Sequence, residues 1–516
     1  MVFSSHVFLF YFLPVFLLIY FSLVRLRVNL SWINLFVTIS SYFFYGWFEP
    51  WFVILMFVST IVDYGCGKAI AWPRRFIERG KINPKEWLGE LRSVNFMFPL
   101  FVLFGHLITN VSDRARAEKL LRNSALTTSI VVNLGLLGFF KYYMFFMEGI
   151  NRLAQMLGAE SALFDIMSVT LPIGISFYTF QSMSYTIDVW RGTASPVKDM
   201  RTFSCFVALF PQLIAGPIIR YNTIATQLAH RTHSVDMFTR GAAIFITGLA
   251  KKVFLADAVG QIADTVFGAD GPDMLSAWWG VLAYSFQIYF DFCAYSDMAV
   301  GLGRMMGFEF IKNFNAPYRS DSISSFWNRW HISLSTWIRD YLYISLGGNR
   351  RGKSRTYLNL ALTMTLCGLW HGAQMTFIAW GMYHGAMLLW ERSMGRRPLY
   401  HRFPLIPRII LTNIIVLFGW VLFRAPTLNQ AMLYWGSMVG AVEPAQSASL
   451  LQALIFTRQH LVEMIACGFL VWQPIQAHEW VKHLSPAKYV VLGLLFVFSI
   501  LQMFASTFSP FLYFQF

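Results

Sequence analysis

Charged residues are scarce in this chain: Asp, Glu, Lys and Arg make up 13% of it, about half the ~25% of a soluble domain. An ordinary soluble globule is thereby excluded. Cysteine is scarce as well. Cys66, Cys205, Cys293, Cys367 and Cys467 are dispersed, with no CxxC pair and no secreted-domain spacing, so they read as buried packing residues rather than a disulfide framework. The eleven histidines include no HExxH or other ligand spacing, and no metal is expected. There is no G-x-S-x-G elbow and no P-loop, so any catalysis must proceed without a conventional serine triad or a nucleotide cradle. The first apolar run, Val7 to Val24, has neither a basic residue before it nor a small-residue cleavage site after it. It reads as a retained first helix, with Arg25 and Arg27 behind it placing the N-terminus outside the cytoplasm.

What fills the chain instead is apolar sequence, 56% of the 516 residues, with 18% aromatic. Its runs repeatedly reach or approach the ~20 residues that cross a hydrocarbon core, which makes this an all-α polytopic membrane protein. Roughly ten to thirteen spans are expected, with re-entrant and interfacial pieces between them. The net charge of +15 falls mostly in short connectors, where positive-inside bias and anionic headgroups account for it, so membrane lipids and not nucleic acid are the expected partner. Leu30 to Tyr45 and Trp51 to Val62 should form a hairpin. Lys68 to Arg92 alternates charge with Trp72, Phe76, Ile77 and Trp87, as an interfacial helix does. Val94 to Thr109 and Ile130 to Phe146 flank a basic stretch from Asp113 to Arg122. If both crossed fully, consecutive basic connectors would lie on opposite faces, so at least one segment here should be re-entrant or too short to span. The prolines and glycine of Pro211 to Pro217 should break a helix at membrane depth, which is tolerated only where protein or a cavity covers the break. We read one integral membrane domain: N-terminal helices and interfacial segment over 1–125, a catalytic core over 126–395 and C-terminal helices over 396–516.

Two Trp-His dipeptides stand out, Trp330-His331 and Trp370-His371. The second lies in a stretch, Tyr357 to Trp390, with no charged side chain, and an ionisable group at such a position is a functional candidate by default. Histidine titrates near neutrality and has two distinct ring nitrogens, so it can accept a proton on one side while held on the other. Gly368, Gly372 and Ala373 keep the backbone around His371 slim, which would leave room for a substrate tail, and Cys367 one turn earlier would line the same space. His331 follows Arg329 and precedes Ser333 and Ser335, as a relay at a pore rim would. Gln287, Asp291, Tyr295 and Asp297 follow an apolar run and would form the wall of a hydrated cavity, and Gln181, Asn328 and Gln374 are further cavity candidates, with His384 behind them.

The segments Trp327 to Tyr341 (WNRWHISLSTWIRDY), Leu366 to Ala373 (LCGLWHGA), Leu171 to Gln181 (LPIGISFYTFQ), Pro211 to Ile218 (PQLIAGPI) and Asp291 to Asp297 (DFCAYSD) resemble the membrane-bound O-acyltransferase family, and more closely its bacterial branch that acetylates exported polysaccharides. That resemblance implies helices ringing a central funnel in the bacterial inner membrane, with His371 and His331 at the positions of the family's two catalytic histidines. It implies an O-acetyltransferase that takes acetyl from a cytoplasmic thioester, acetyl-CoA, and passes it to periplasmic O-acetyltransferase partners and the polymer export machinery, with alginate the foremost polymer and cellulose or another glycan the alternative. His371 would then deprotonate the acceptor hydroxyl while His331 gates or relays at the cytoplasmic mouth, and Arg329, Arg339, Arg350 and Arg351 would meet the donor's phosphates. Whether the acceptor is a partner serine or the sugar, or an acyl-histidine forms first, stays open. On composition alone a polysaccharide or lipid transporter, or a scaffold of an export complex, competes.

Overall fold

A computed structural model of the chain describes residues 1–78, 114–395, 398, 400–505 and 511–512, the backbone alone at 72–78 and 114. The expected segment Val94 to Thr109, and the expected interfacial stretch beyond Ala71, lie outside the described residues or side chains. Every regular element described is helical, and the chain divides into two compact units, one built mainly from 10–214 and 218–232 and the other from 2–9, 215–217 and 233–516.

The first unit contains α1 (Leu13–Arg25), α2 (Leu30–Tyr45), α3 (Phe52–Glu78), α4 (Arg114–Leu137), α5 (Tyr143–Met156), α6 (Ile175–Arg191), α7 (Met200–Ala208), α8 (Phe210–Leu213) and α9 (Tyr221–Ala229). Asn29 starts α2 and Asp199 starts α7 by accepting backbone N–H groups with their side chains, the usual role of such residues at a helix N-terminus. Both helices of the expected hairpin are present, although α3 runs well past Val62. The basic stretch at 114–122 proves to be no connector. It is the first part of α4, which continues through a π-helical turn, Gly138–Tyr142, into α5, so that Ala115–Met156 is one helix of 42 residues. At 1.5 Å per residue that is about 63 Å, twice a hydrocarbon core, so its charged start can lie beyond the apolar part without a loop. At 200–214 the helix does break, into α7 and the single turn α8, at Leu209 with ψ 105°.

The second unit contains α10 (Val235–Ala250), α11 (Asp257–Phe267), α12 (Met274–Met305), α13 (Ile323–Arg329), α14 (Ile332–Trp337), α15 (Lys353–His371), α16 (Met375–Ser393), α17 (Leu405–Arg424), α18 (Leu428–Met438), α19 (Ala448–Ile455), α20 (Arg458–Val471), α21 (Ala477–Trp480) and α22 (Pro486–Ala505). Small residues set its central packing. A Cβ on Gly241 would lie 2.7 Å from Gly301 O, and one on Gly248 would lie 2.8 Å from Ala294 O, so α10 and α12 approach backbone to backbone, as glycine allows in membrane bundles.

Five described helices are long and apolar enough to cross a membrane: Val7–Arg25, Phe52–Ala71, Ala115–Met156, Leu405–Arg424 and Pro486–Ala505; the bent pair α19 and α20 can add a sixth. Some other expected spans coincide with shorter helices, such as the 16-residue α2 and α10, and others with helices that bury many polar residues inside the protein, such as α12. The chain is a multi-pass membrane protein.

Candidate active site

His331 stands between α13 and α14, where the chain reverses through a left-handed backbone conformation, φ 44°. A non-glycine residue held there costs about 1–3 kcal/mol, a strain that clusters at functional sites. Its Nδ1 lies 3.1 Å from Asn313 Oδ1. The same oxygen accepts the Ser333 backbone N–H at 3.2 Å and the Ser333 hydroxyl at 2.9 Å. Because a backbone N–H can only donate, the amide must face this way round, and His331 Nδ1 must carry the ring proton. The lone pair therefore sits on Nε2, which is buried without a hydrogen-bond partner. Phe292 meets the ring edge-on at 4.6 Å. Burial pushes the imidazole down to about 3 by disfavouring its charged form.

His371 ends α15 and is 5% exposed. Trp370, Trp380 and Phe423 surround its ring edge-on, at 5.0, 5.1 and 5.2 Å between centroids. Trp370 also lies 6.5 Å from the His331 ring, so the two Trp-His dipeptides, 40 residues apart, converge on one indole. Trp330 stacks on Phe326 at 5.5 Å and packs on Trp420 at 4.9 Å. His384 is fully buried against Trp327 and Trp380, and neither of its ring nitrogens has a hydrogen-bond partner.

The slim backbone around His371 does not make room for a substrate. A Cβ on Gly368 would lie 2.2 Å from Phe377 O and 3.0 Å from Gly381 Cα, and one on Gly372 would strike the Phe377 ring. The glycines instead bring α15 against α16. Gly368→Val is accordingly expected to destabilise the protein by about 1–3 kcal/mol or more, the usual cost of overpacking, with Gly493→Ala, whose Cβ would enter open space, unchanged. Thermal unfolding of the two purified variants checks this.

Space for a ligand lies in a cavity of about 460 Å³ between α13, α14, α15 and α16, whose lining residues include neither His331 nor His371. Trp327, Leu334, Leu360, Met364 and Leu388 supply its apolar wall, while Asn328, Ser335, Cys367, Arg339 and Arg392 add polar and cationic groups. Cys367 thus does line a cavity, although His371 is not part of that wall. Arg339 is bound to Asp340 at 2.7 and 3.1 Å and remains largely exposed. The other expected arginines are not at this cavity: Arg329 approaches Asn315 O at 3.5 Å, and Arg350 and Arg351 are exposed in a loop whose Gly348 O is held by Asn359. Gln374 is exposed at the start of α16.

The polar residues of α12 have a different use from the expected hydrated wall. Asp291 is paired with Lys252 at 2.7 Å and accepts the Leu512 N–H. Asp297 is paired with Lys251 at 2.7 Å and lies 3.7 Å from His478. Tyr295 packs on Phe3 and Phe511. Gln287 lies against Gly260. Both carboxylates are buried and each is met by a lysine. Gln181 is buried in α6, within the other compact unit. Asn313, Lys252, Tyr343 and Arg392 were not among the site residues expected from the sequence. The charge pairs were at least signalled by Lys251-Lys252 inside an apolar run, whereas nothing near Asn313 marks it as a partner of His331.

The family model for membrane-bound O-acyltransferases matches residues 39–429. The chain belongs to that family. It is similar along its whole length to full-length proteins named as probable alginate O-acetylases, at 40% identity in Pseudomonas putida and 40% in Azotobacter vinelandii, with 100% of each chain covered. It is 31% identical to a peptidoglycan O-acetyltransferase of Helicobacter pylori, over 100% of this chain and 98% of that one. Family membership makes this a membrane acyltransferase, a multi-pass protein of the inner membrane.

Proposed function

We propose that this acyltransferase moves acetyl from acetyl-CoA to periplasmic partners that esterify an exported polysaccharide, alginate first among the acceptors. The observation that carries the mechanism is the fixed tautomer of His331, whose Nε2 lone pair is buried and unpartnered beside the Trp370-His371 pair. Alginate is favoured because full-length relatives at 40% identity bear that name, against 31% for the peptidoglycan relative.

In this reading the 460 Å³ cavity takes the thioester arm of the donor, with Arg339 and Arg392 toward its phosphates, a contact for which guanidinium geometry is suited. His331 Nε2, in place of the His371 expected from the sequence, removes the proton of the attacking hydroxyl. Its Nδ1–H stays on Asn313, so the positive charge that develops on the ring is met by an amide oxygen already in place. His371, across Trp370, is the second histidine of the transfer.

The test is the acetyl-ester content of exported polymer from cells lacking this chain and from the same cells with it restored. Ester lost and regained while polymer export continues supports the proposal. Loss of the polymer itself would favour a transporter or scaffold, and loss of ester from peptidoglycan or cellulose instead would replace alginate as the acceptor.

A further inference from the structure

A second polar centre lies in the first unit. Three helices each present two small polar residues one turn apart: Ser59 and Asp63 on α3, Ser129 and Asn133 on α4, Ser182 and Thr186 on α6. All six are buried, and they meet in one hydrogen-bonded knot. Asn133 Nδ2 donates to Asp63 Oδ2 at 2.8 Å and to Ser129 O at 2.9 Å, and Asn133 Oδ1 accepts from Ser59 at 2.8 Å and from Ser182 at 3.2 Å. Among the described residues no lysine or arginine forms an ion pair with Asp63. Its neighbouring titratable groups are Cys66 on α3 and Tyr185 on α6, and neither a thiol nor a phenol supplies positive charge.

A proton on Asp63 lets every contact of this knot carry its own hydrogen. Ser129 Oγ lies 2.5 Å from Asp63 Oδ1 and 2.8 Å from Thr186 Oγ, and Thr186 Oγ lies 3.0 Å from Met183 O. With Asp63 ionised, the Ser129 hydrogen goes to Asp63 and the single Thr186 hydrogen serves either Ser129 or Met183 O, not both. One more proton completes every contact: Asp63 donates to Ser129, Ser129 to Thr186, and Thr186 to the Met183 carbonyl. An unpaired carboxylate in a membrane helix is also costly, and a bound proton removes that cost. We propose that Asp63 is a proton-binding site, held as a neutral carboxylic acid that locks α3, α4 and α6 together. The donor chain ends on a backbone carbonyl, so the proton is stored there and not conducted.

The test is an infrared difference spectrum of the full-length protein in lipid nanodiscs at neutral pH, wild type against Asp63→Asn. The expected result is a protonated-carboxyl carbonyl band in the wild type that is missing in the variant and unaffected by exchanging choline chloride for sodium chloride. Asp63→Asn, which keeps the acid's shape with a donor and an acceptor, is expected to accumulate in membranes at the wild-type level, and Asp63→Ala to accumulate several-fold less. Absence of the band at neutral pH would overturn the proposal. So would its loss on adding sodium, which would put a metal cation in the proton's place, or failure of Asp63→Asn to accumulate.

Discussion

Replacing His331 by alanine is expected to lower acetyl transfer by roughly 10²–10⁴-fold, the range a positioned general base supplies, while membrane level and polymer export stay near normal. His331→Gln should be as inactive, because it restores a polar contact to Asn313 but no basic nitrogen. Asn313→Ala should lose less. It leaves the base in place but releases its tautomer and strands the Ser333 N–H that Asn313 accepts. This order, His331→Ala equal to His331→Gln and both below Asn313→Ala, separates proton transfer from packing. A packing role would instead spare the glutamine variant. His371→Ala is expected to abolish transfer as well, and the double variant should be no worse than either single one if the two histidines act as a unit. The measurement is acetyl ester per unit of exported polymer, normalised to the amount of each variant in the membrane. Transfer unchanged in His331→Ala would refute the assignment of the base.

Much of this site was legible in the sequence because its residue types are conspicuous there. Two Trp-His dipeptides in a chain poor in charge mark themselves, and the structure brings both to Trp370. An apolar run likewise located α2, Leu30–Tyr45. What misled the reading was the assumption that a small or polar residue faces a cavity. Gly368 and Gly372 are small because another helix occupies the space, and a sequence does not say whether a missing side chain leaves room for ligand or for protein. Asp291 and Asp297 read as solvated because their cations, Lys252 and Lys251, lie on a different segment. The same limit hid Asn313 and the Asp63 knot. Each depends on partners tens of residues away, and one-turn spacing of Ser59 with Asp63 looks unremarkable until two other helices offer the same pattern.

The lysine–carboxylate pairs lead to the other large effect. Lys252 stands between Asp257 and Asp291, 2.7 Å from each, on the π-helical turn Lys251–Ala256. Asp291 is followed directly by Phe292, the ring that meets His331 edge-on, so the ion pair fixes α12 at the position that backs the base. Lys252→Met removes the cation and leaves the almost wholly buried Asp291 uncompensated, and the expected loss is about 3–5 kcal/mol. Asp291→Leu should cost less, since Lys252 keeps Asp257, although the Leu512 N–H loses its acceptor. The double variant Lys252→Met with Asp291→Leu should recover most of the stability, because well-packed apolar residues often replace a buried pair without net cost. Thermal unfolding of the four purified proteins gives the coupling between the two residues, and a double variant as unstable as the sum of the singles would refute the pairing. Acetyl transfer by the double variant then reports the second link of the argument: with stability recovered, any remaining loss measures how far the register of Phe292 against His331 depends on this charge pair rather than on the fold as a whole.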